Sequence, residues 1–88
     1  HSVATVYVMS TAATQRRLNG VALRVIREAL GVSLSDLARR ADVSRPYVSL
    51  MESGARQPAP PVLRRLATAL AIPLEAISYP GGSTEAQA

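Results

Sequence analysis

The residues of this chain best suited to chemistry are its arginines, which account for all ten of its basic residues. A guanidinium group is a planar fork that can donate two parallel hydrogen bonds to one phosphate group. The six acidic residues leave a formal net charge of +4, and such a charge attracts a small protein to nucleic acids or to acidic lipid surfaces. The same charge also aids solubility, so composition leaves both interpretations open.

The residue types that carry most enzyme chemistry are scarce in the sequence. Cysteine is absent, the only histidine is His1, and neither paired carboxylates nor a glycine-rich phosphate loop is visible. We therefore expect no enzyme activity, no cofactor, no metal site and no small-molecule substrate. No apolar run approaches the roughly 20 residues that span a bilayer, so we expect no membrane partner either.

The elements that must position the arginines are short helices whose ends are marked in the sequence. The first helix is predicted from Asn19 to Leu30, with Asn19 as its N-terminal cap. Ser33 caps a short second helix and Ser44 caps a third. Pro46 falls in the first turn of the third helix, where a backbone N–H has no helical acceptor. We therefore expect this proline to stiffen the helix start instead of breaking it.

A fourth helix is predicted from Pro61 to Ala71, and a short fifth helix begins at Pro73. The sequence thus predicts an all-α fold, in which five helices form one compact domain over residues 19–79. No strand is expected in its core. Phe and Trp are absent, so the core must be aliphatic.

The two ends of the chain lack helix periodicity. We predict that residues 1–18 are a flexible arm or a leader left by expression, and that residues 80–88 are a disordered tail. The alternating segment "VATVYV" near the start leaves a second interpretation open. It could form a short strand that pairs with the same segment of another copy.

The stretch "SLSDLARRADVSRPYVSLMESG" resembles the lambda-repressor-like helix-turn-helix family, which includes Cro/CI and XRE proteins. Its second and third helices are separated by three or four residues, as in helix-turn-helix proteins. The matching positions are the Leu37-Ala38 pair, the inward-facing Val43, Val48 and Met51, and the Glu52-x-Gly54 ending. Downstream, "VLRRLATALAIPLEAI" is similar to the family's closing segment, so the resemblance covers about Gly20 to Tyr79.

Three positions depart from the family pattern. Asp42 replaces a turn glycine whose backbone is often left-handed, a conformation that aspartate tolerates better than most residues. Leu34 stands where the family favours a glutamine that contacts a phosphate and braces the third helix. Pro46 replaces a base-reading polar side chain, so base reading should depend on its neighbours.

The resemblance implies that the third helix enters the major groove of DNA. Arg45 is the favoured base contact, because its fork matches the two acceptors of guanine. The other implied base contacts are Pro46, Ser49 and Leu50. The implied phosphate contacts, which set register without reading sequence, are Ser33, Ser35, Ser44, Tyr47, Ser53 and Arg56.

Other charged residues are expected to act on structure. The resemblance implies an ion pair between Arg27 and Glu52 that fixes the third helix against the first. Arg64 and Arg65 of the fourth helix are expected to face water.

The resemblance implies a sequence-specific transcriptional regulator that binds double-stranded DNA, either a phage-type Cro-like protein or small repressor or a bacterial XRE-type regulator. It would act as a homodimer on a palindromic operator, in the bacterial cytoplasm at the nucleoid. The segment Ile72–Tyr79 is either the dimer surface or simply a cover for the core. Two alternatives stay open: an antitoxin whose terminal segments hold a toxin, and a protein-interaction module on the same fold.

Overall fold

The computed structural model describes residues 16–81. Four α-helices, one 3₁₀ helix and a pair of short strands make up this part of the chain. In order they are β1 (Arg16–Leu18), α1 (Gly20–Ala29), α2 (Leu34–Ala41), α3 (Arg45–Ser53), α4 (Pro60–Ala69), the 3₁₀ helix Leu74–Ile77 and β2 (Ser78–Pro80). The longest α-helices among residues 16–81 have 10 residues, so none of them could span a bilayer.

The starts of the first three helices are fixed by side-chain caps. Asn19 Oδ1 accepts a hydrogen bond from the Ala22 N–H at 3.1 Å. Ser33 Oγ accepts from the Asp36 N–H at 3.0 Å, and Ser44 Oγ accepts from the Tyr47 N–H at 3.2 Å. Each cap satisfies a backbone donor that has no partner within the helix. The three predicted caps are therefore confirmed.

The turn between α2 and α3 depends on a left-handed aspartate. Asp42 has φ 60° and ψ 47°, and its N–H points back to the carbonyl oxygens of Ala38 and Arg39. The next N–H, that of Val43, donates to Ala38 O at 3.0 Å. Such bonds close a helix end when the residue after it is left-handed. The conformation predicted for Asp42 is confirmed, and it allows three residues to turn the chain from α2 into α3.

The predicted all-α fold of five helices is wrong at the C-terminal end of the domain. Leu74–Ile77 forms a single 3₁₀ turn, because only four residues lie between Pro73 and the extended Ser78. The fourth helix begins at Pro60 and ends at Ala69, one residue earlier at its start and two at its end than predicted. Ala71 then adopts φ 56°, which ends any helical path.

A two-stranded antiparallel sheet closes the domain, with Arg16 opposite Pro80 and Leu18 opposite Ser78. Arg16 also donates from Nε to Ser78 Oγ at 2.8 Å. Residues 16–18 are therefore part of the folded unit and not of a flexible arm, and Leu18 is only 2% exposed. The proposed strand "VATVYV" and residues 82–88 of the predicted tail lie outside the described residues.

The core lies between the helices and is aliphatic. Leu23 of α1, Leu37 of α2 and Leu66 of α4 are each completely buried. Its members are Leu18, Leu23, Val32, Leu37, Ala38, Ala41, Val48, Met51, Leu63, Leu66, Ala67, Leu70 and Ile77. Burial of such side chains from water is the main force that holds these short helices together.

The start of α1 lies against the end of α3. A Cβ atom on Gly20 would lie 2.7 Å from the carbonyl oxygen of Glu52, and closer still to that of Met51. Only glycine fits there without moving the backbone of one of the two helices. The position of α3 is therefore defined partly by a close backbone contact.

Candidate functional site

The two faces of α3 differ sharply in exposure. Val48 is completely buried and Met51 is 1% exposed, so the inner face is anchored in the core. Arg45, Pro46, Ser49 and Leu50 are exposed, and Leu50 keeps 41% of its surface open to solvent. We call these four exposed residues the α3 outer face. All four residues assigned to base contact thus lie together on one accessible surface.

A buried ion pair holds α3 against α1. Arg27 donates from Nε to Glu52 Oε2 at 2.6 Å and from Nη2 to Glu52 Oε1 at 3.2 Å. Its Nη1 donates to the carbonyl oxygen of Val32 at 2.8 Å, which ties in the turn between α1 and α2. Arg27 and Glu52, which the sequence analysis predicted as an ion pair, therefore form a bidentate contact. Three hydrogen bonds from one guanidinium fix three segments of the chain.

The charge on Arg27 is reinforced by its surroundings. The hydrogen bond from Arg27 to Glu52 raises the pKa of Arg27, and the negative charges of Glu52 and Glu28 act in the same direction. Burial opposes this effect but does not outweigh it. Arg27 therefore stays protonated, and the pair remains ionic.

The serines assigned to phosphate contact differ in how their hydroxyls are used. Ser33 and Ser44 accept hydrogen bonds as helix caps, which leaves each O–H free to donate. Ser35 is exposed in the first turn of α2. Ser53 instead donates its O–H to Leu50 O at 3.0 Å, so this hydroxyl must reorient before it can donate to a phosphate.

Tyr47 and Arg56, the other two assigned phosphate contacts, lie in different environments. Tyr47 is half-buried and packs against the core, which holds its ring in place. Arg56 is exposed in the loop after α3, and its guanidinium makes no hydrogen bond to the described part of the chain. The backbone N–H of Arg56 donates to Leu50 O at 3.3 Å, so the loop itself is held to the end of α3.

Leu34 is the first residue of α2 and stands where the family favours a glutamine. It is half-buried against the core and lines a depression beside the outer face of α3. The depression has a volume of about 330 Å³ and is lined by Arg24, Arg27, Glu28, Leu34, Ser49, Glu52 and Ser53.

Gln57 is a positioning residue that the sequence analysis missed. Its Oε1 accepts from the Leu18 N–H at 2.9 Å, and its Nε2 donates to Leu18 O at 3.0 Å. The side-chain amide therefore pairs with β1 as another strand would, and it fastens the loop after α3. The two partners are 39 positions apart, so no local pattern in the sequence announces this contact.

Arg65 is exposed, as predicted, but its guanidinium also bonds to the protein. Arg65 Nε donates to Ala41 O at 2.8 Å, at the last residue of α2. A cation is favoured there because the carbonyl end of a helix carries partial negative charge. Arg64 has no hydrogen-bond partner among residues 16–81 and is exposed, as expected.

Comparison with known families assigns this arrangement of helices. The family model HTH_31, described as a helix-turn-helix domain, matches residues 20–78. That range contains α1 to α4 and the 3₁₀ helix. The match confirms the helix-turn-helix resemblance that the sequence analysis drew.

Two curated relatives are similar over most of this chain. An uncharacterised HTH-type transcriptional regulator of Mycobacterium tuberculosis, Rv0474, is 39% identical over 66 residues, which are 75% of this chain and 47% of the relative. The HTH-type transcriptional repressor RghR of Bacillus subtilis is 37% identical over 67 residues, which are 75% of this chain and 50% of the relative. The chain thus spans about half the length of the curated relatives it matches.

Two solved structures share the fold. The restriction-modification controller protein C.AhdI from Aeromonas hydrophila superposes with a TM-score of 0.63 at 37% identity, covering 65% of this chain and 86% of that protein. The master regulator for biofilm formation SinR, solved in complex with DNA, superposes with a TM-score of 0.61 at 27% identity. That match covers 66% of this chain and 94% of SinR.

Proposed function

This chain belongs to the HTH_31 family of helix-turn-helix domains, and on that premise we propose that it is a transcriptional regulator that binds double-stranded DNA through the α3 outer face. One observation carries the proposal. The α3 outer face is open to solvent while the opposite face of the same helix is locked into the core by Val48, Met51 and the Arg27–Glu52 pair. A rigid helix with an accessible outer face is what a major groove admits.

We assign base contacts to the four residues of the α3 outer face. Arg45 lies in the first turn of α3 and its fork matches the N7 and O6 acceptors of guanine. The hydroxyl of Ser49 can donate to a base or accept from one. Pro46 and Leu50 offer apolar surface for the methyl group of thymine.

We assign phosphate contacts to residues that surround the α3 outer face. The free O–H groups of Ser33 and Ser44 lie at the starts of α2 and α3, where exposed backbone N–H groups also favour an anion. Ser35 is exposed in the first turn of α2, and Arg56 is exposed in the loop after α3. Tyr47 and Ser53 complete the set, and Ser53 would have to release Leu50 O to donate to a phosphate.

A DNA-binding protein can regulate transcription by occupying an operator. A protein bound to an operator blocks access by polymerase, and the relative RghR is named as a transcriptional repressor. We propose repression by this route, in the cytoplasm of a bacterial cell at its nucleoid. The named organisms of the relatives are bacteria, which favours a bacterial regulator over a phage-type Cro-like protein.

A homodimer on a palindromic site is part of the proposal, since one helix-turn-helix contacts only half of a typical operator. Half-sites would lie about 34 Å apart, one turn of DNA. Within the segment Ile72–Tyr79, Ile77 is completely buried, and Ile72 and Leu74 pack against the core. Tyr79, which is 45% exposed, is the side chain of this segment best placed to contact a second copy.

Selection of binding sites from a pool of random duplexes tests the proposal directly, because it reports sequence, symmetry and half-site spacing together. We expect an inverted repeat with half-sites about one helical turn apart. Affinity for the selected duplex should fall steeply with salt concentration, since each phosphate contact releases counterions. Absence of an enriched sequence, together with salt-independent binding, would show that the chain does not read DNA.

A protein-interaction module is the second candidate, and Leu50 is the observation that favours it. Leu50 and Pro46 make the outer face of α3 more apolar than a DNA-binding surface needs. The same salt titration separates the two functions, because binding through apolar contact weakens little as salt rises. The antitoxin interpretation rests on terminal segments outside the described residues and stays a prediction.

A further inference from the structure

We propose that a second site, formed by Arg40, Arg64 and Arg65 between α2 and α4, binds the phosphate group of a small phosphorylated molecule. The three arginines line a depression of about 490 Å³, together with Pro61 and Thr68. We call it the α2–α4 arginine site. It shares no residue with the α3 outer face or with the depression beside it.

Two of the three guanidinium groups bond to the protein, Arg65 at an ordinary distance and Arg40 at a long one. Arg65 Nε donates to Ala41 O at 2.8 Å, and Arg40 Nη1 donates to Ala69 O at 3.4 Å. Each arginine thus bonds a carbonyl at the end of the other's helix. Since a guanidinium carries five N–H donors, most of them remain available to a ligand. A fork that is already oriented loses less side-chain freedom when it binds.

The α2–α4 arginine site also lacks a compensating negative charge. Among residues 16–81, none of Arg40, Arg64 and Arg65 forms an ion pair with a carboxylate. By contrast, Arg24, Arg27 and Arg39 each have an acidic partner. Three clustered positive charges repel one another, so an anion with several acceptor oxygens stabilises them.

The chemistry of the site favours a phosphate group over the carboxylates of an acidic protein segment. The arginines and the hydroxyl-bearing Thr68 line an open depression of about 490 Å³, and all of these side chains are exposed. A guanidinium fork can bond two oxygens of a tetrahedral phosphate group, which carries a charge of about −1.5 to −2 at pH 7, whereas a carboxylate carries only one negative charge. The proposal does not depend on DNA binding by α3, because the two sites are separate.

Titration of the whole chain with inorganic pyrophosphate, followed by NMR at constant ionic strength, tests the proposal. We expect saturable shifts of the side-chain Nε–H signals of Arg40, Arg64 and Arg65. Arg64→Gln should raise the dissociation constant for pyrophosphate about tenfold, since it removes charged hydrogen bonds to the ligand. It should leave the fold intact, because Arg64 bonds nothing in the described chain. The matched control Arg24→Gln removes another exposed arginine and should leave pyrophosphate affinity unchanged.

Three results would overturn the proposal. The first is a set of shifts that never saturate or that spread over every arginine, which indicates non-specific association of pyrophosphate with positive charge. The second is equal weakening of pyrophosphate binding by Arg64→Gln and Arg24→Gln. The third is saturable binding of a glutamate-rich peptide at the site without binding of pyrophosphate. Affinity of Arg64→Gln for the selected duplex should equal that of the unaltered chain, which keeps this test distinct from the test of the α3 outer face.

Discussion

Arg27 and Glu52 stand 25 positions apart in the chain, yet they share two hydrogen bonds and are both almost fully removed from water. Their side chains are 9% and 7% exposed. Arg27 belongs to α1 and Glu52 to the last turn of α3, so the pair joins the first helix to the helix that we assign to DNA. Because both side chains are buried, each charge is stabilised mainly by the other, and removal of one leaves the other buried without a partner.

Breaking the pair from one side should destabilise the domain strongly. Arg27→Met leaves the carboxylate of Glu52 buried without its partner and frees the carbonyl of Val32. We expect the free energy of unfolding to fall by about 3–5 kcal/mol. Urea denaturation followed by circular dichroism measures this change.

Arg24→Met is the matched control, because Arg24 pairs with Glu28 on the surface, where the side chains are 64% and 54% exposed. An exposed pair of this kind contributes about 0.5 kcal/mol or less. If both variants lose the same small amount of stability, the pair does not fix α3.

Arg45→Ala should relax the sequence preference of DNA binding at one base pair. Loss of a bidentate contact to guanine weakens binding to the preferred duplex by about 1–3 kcal/mol, while duplexes altered at that base pair should be affected little. Fluorescence anisotropy with the preferred duplex and single-base variants measures the difference. A uniform loss across all duplexes would assign Arg45 to the phosphate backbone.

Arg56→Ala provides the comparison for a residue assigned to phosphate. We expect it to weaken binding to every duplex by a similar factor. The plot of log affinity against log salt concentration should also become less steep, by about 1. Arg45 and Arg56 are both exposed arginines. A difference in selectivity between their variants therefore reflects position and not loss of charge. Selectivity lost in Arg56→Ala would contradict the assignment.

Gly20→Ala should destabilise the contact between α1 and α3. The added methyl group would collide with the carbonyl oxygens of Met51 and Glu52, so one helix must shift. We expect a loss of about 1–3 kcal/mol in the free energy of unfolding. Thermal and urea denaturation report it, and Val21→Ala, at a neighbouring position that is 70% exposed, should change stability little. Equal stabilities for the two variants would show that the backbones have room to move apart.

Ala71→Gly should have the opposite effect and stabilise the domain. Ala71 follows α4 with φ 56°, and its N–H donates to Thr68 O at 3.0 Å in a helix-ending turn. Alanine is strained in this conformation by roughly 1–2 kcal/mol, whereas glycine is not. Part of the gain is lost to the greater freedom of glycine in the unfolded chain, so a net gain of about 0.5–1 kcal/mol is expected.

An alanine-to-glycine substitution within a helix should instead lower stability. Ala29→Gly, at the last residue of α1, is expected to lower the free energy of unfolding by up to about 1 kcal/mol. Calorimetric melting temperatures of the two variants should therefore move in opposite directions. A lower melting temperature for Ala71→Gly would mean that the strain at residue 71 is negligible.

Local signals in the sequence were sufficient to predict most of the helical frame. Asn19, Ser33 and Ser44 announce helix starts because a capping side chain acts within three residues of itself. The buried face of α3 followed from the spacing of Val48 and Met51. The left-handed Asp42 was predicted from the family position that it occupies.

Contacts between distant segments were not predictable in the same way. Strands of three residues are too short to show alternation, and the bond from Arg16 to Ser78 spans 62 positions. Gln57 and Arg65 look like ordinary surface residues until the fold brings Leu18 and Ala41 beside them. Tertiary packing decided these contacts, and local propensity carries no information about it.

The pairing of Arg16 with Pro80 places the two ends of the folded unit side by side. A short linker between residues 81 and 16 would therefore close the unit into a ring without disturbing the helices. New ends could then be opened at a surface turn, giving a circularly permuted protein in which α3 is unchanged. The chain also enters and leaves the folded unit at nearly one point, so segments attached before residue 16 and after residue 81 extend from the same side of the domain.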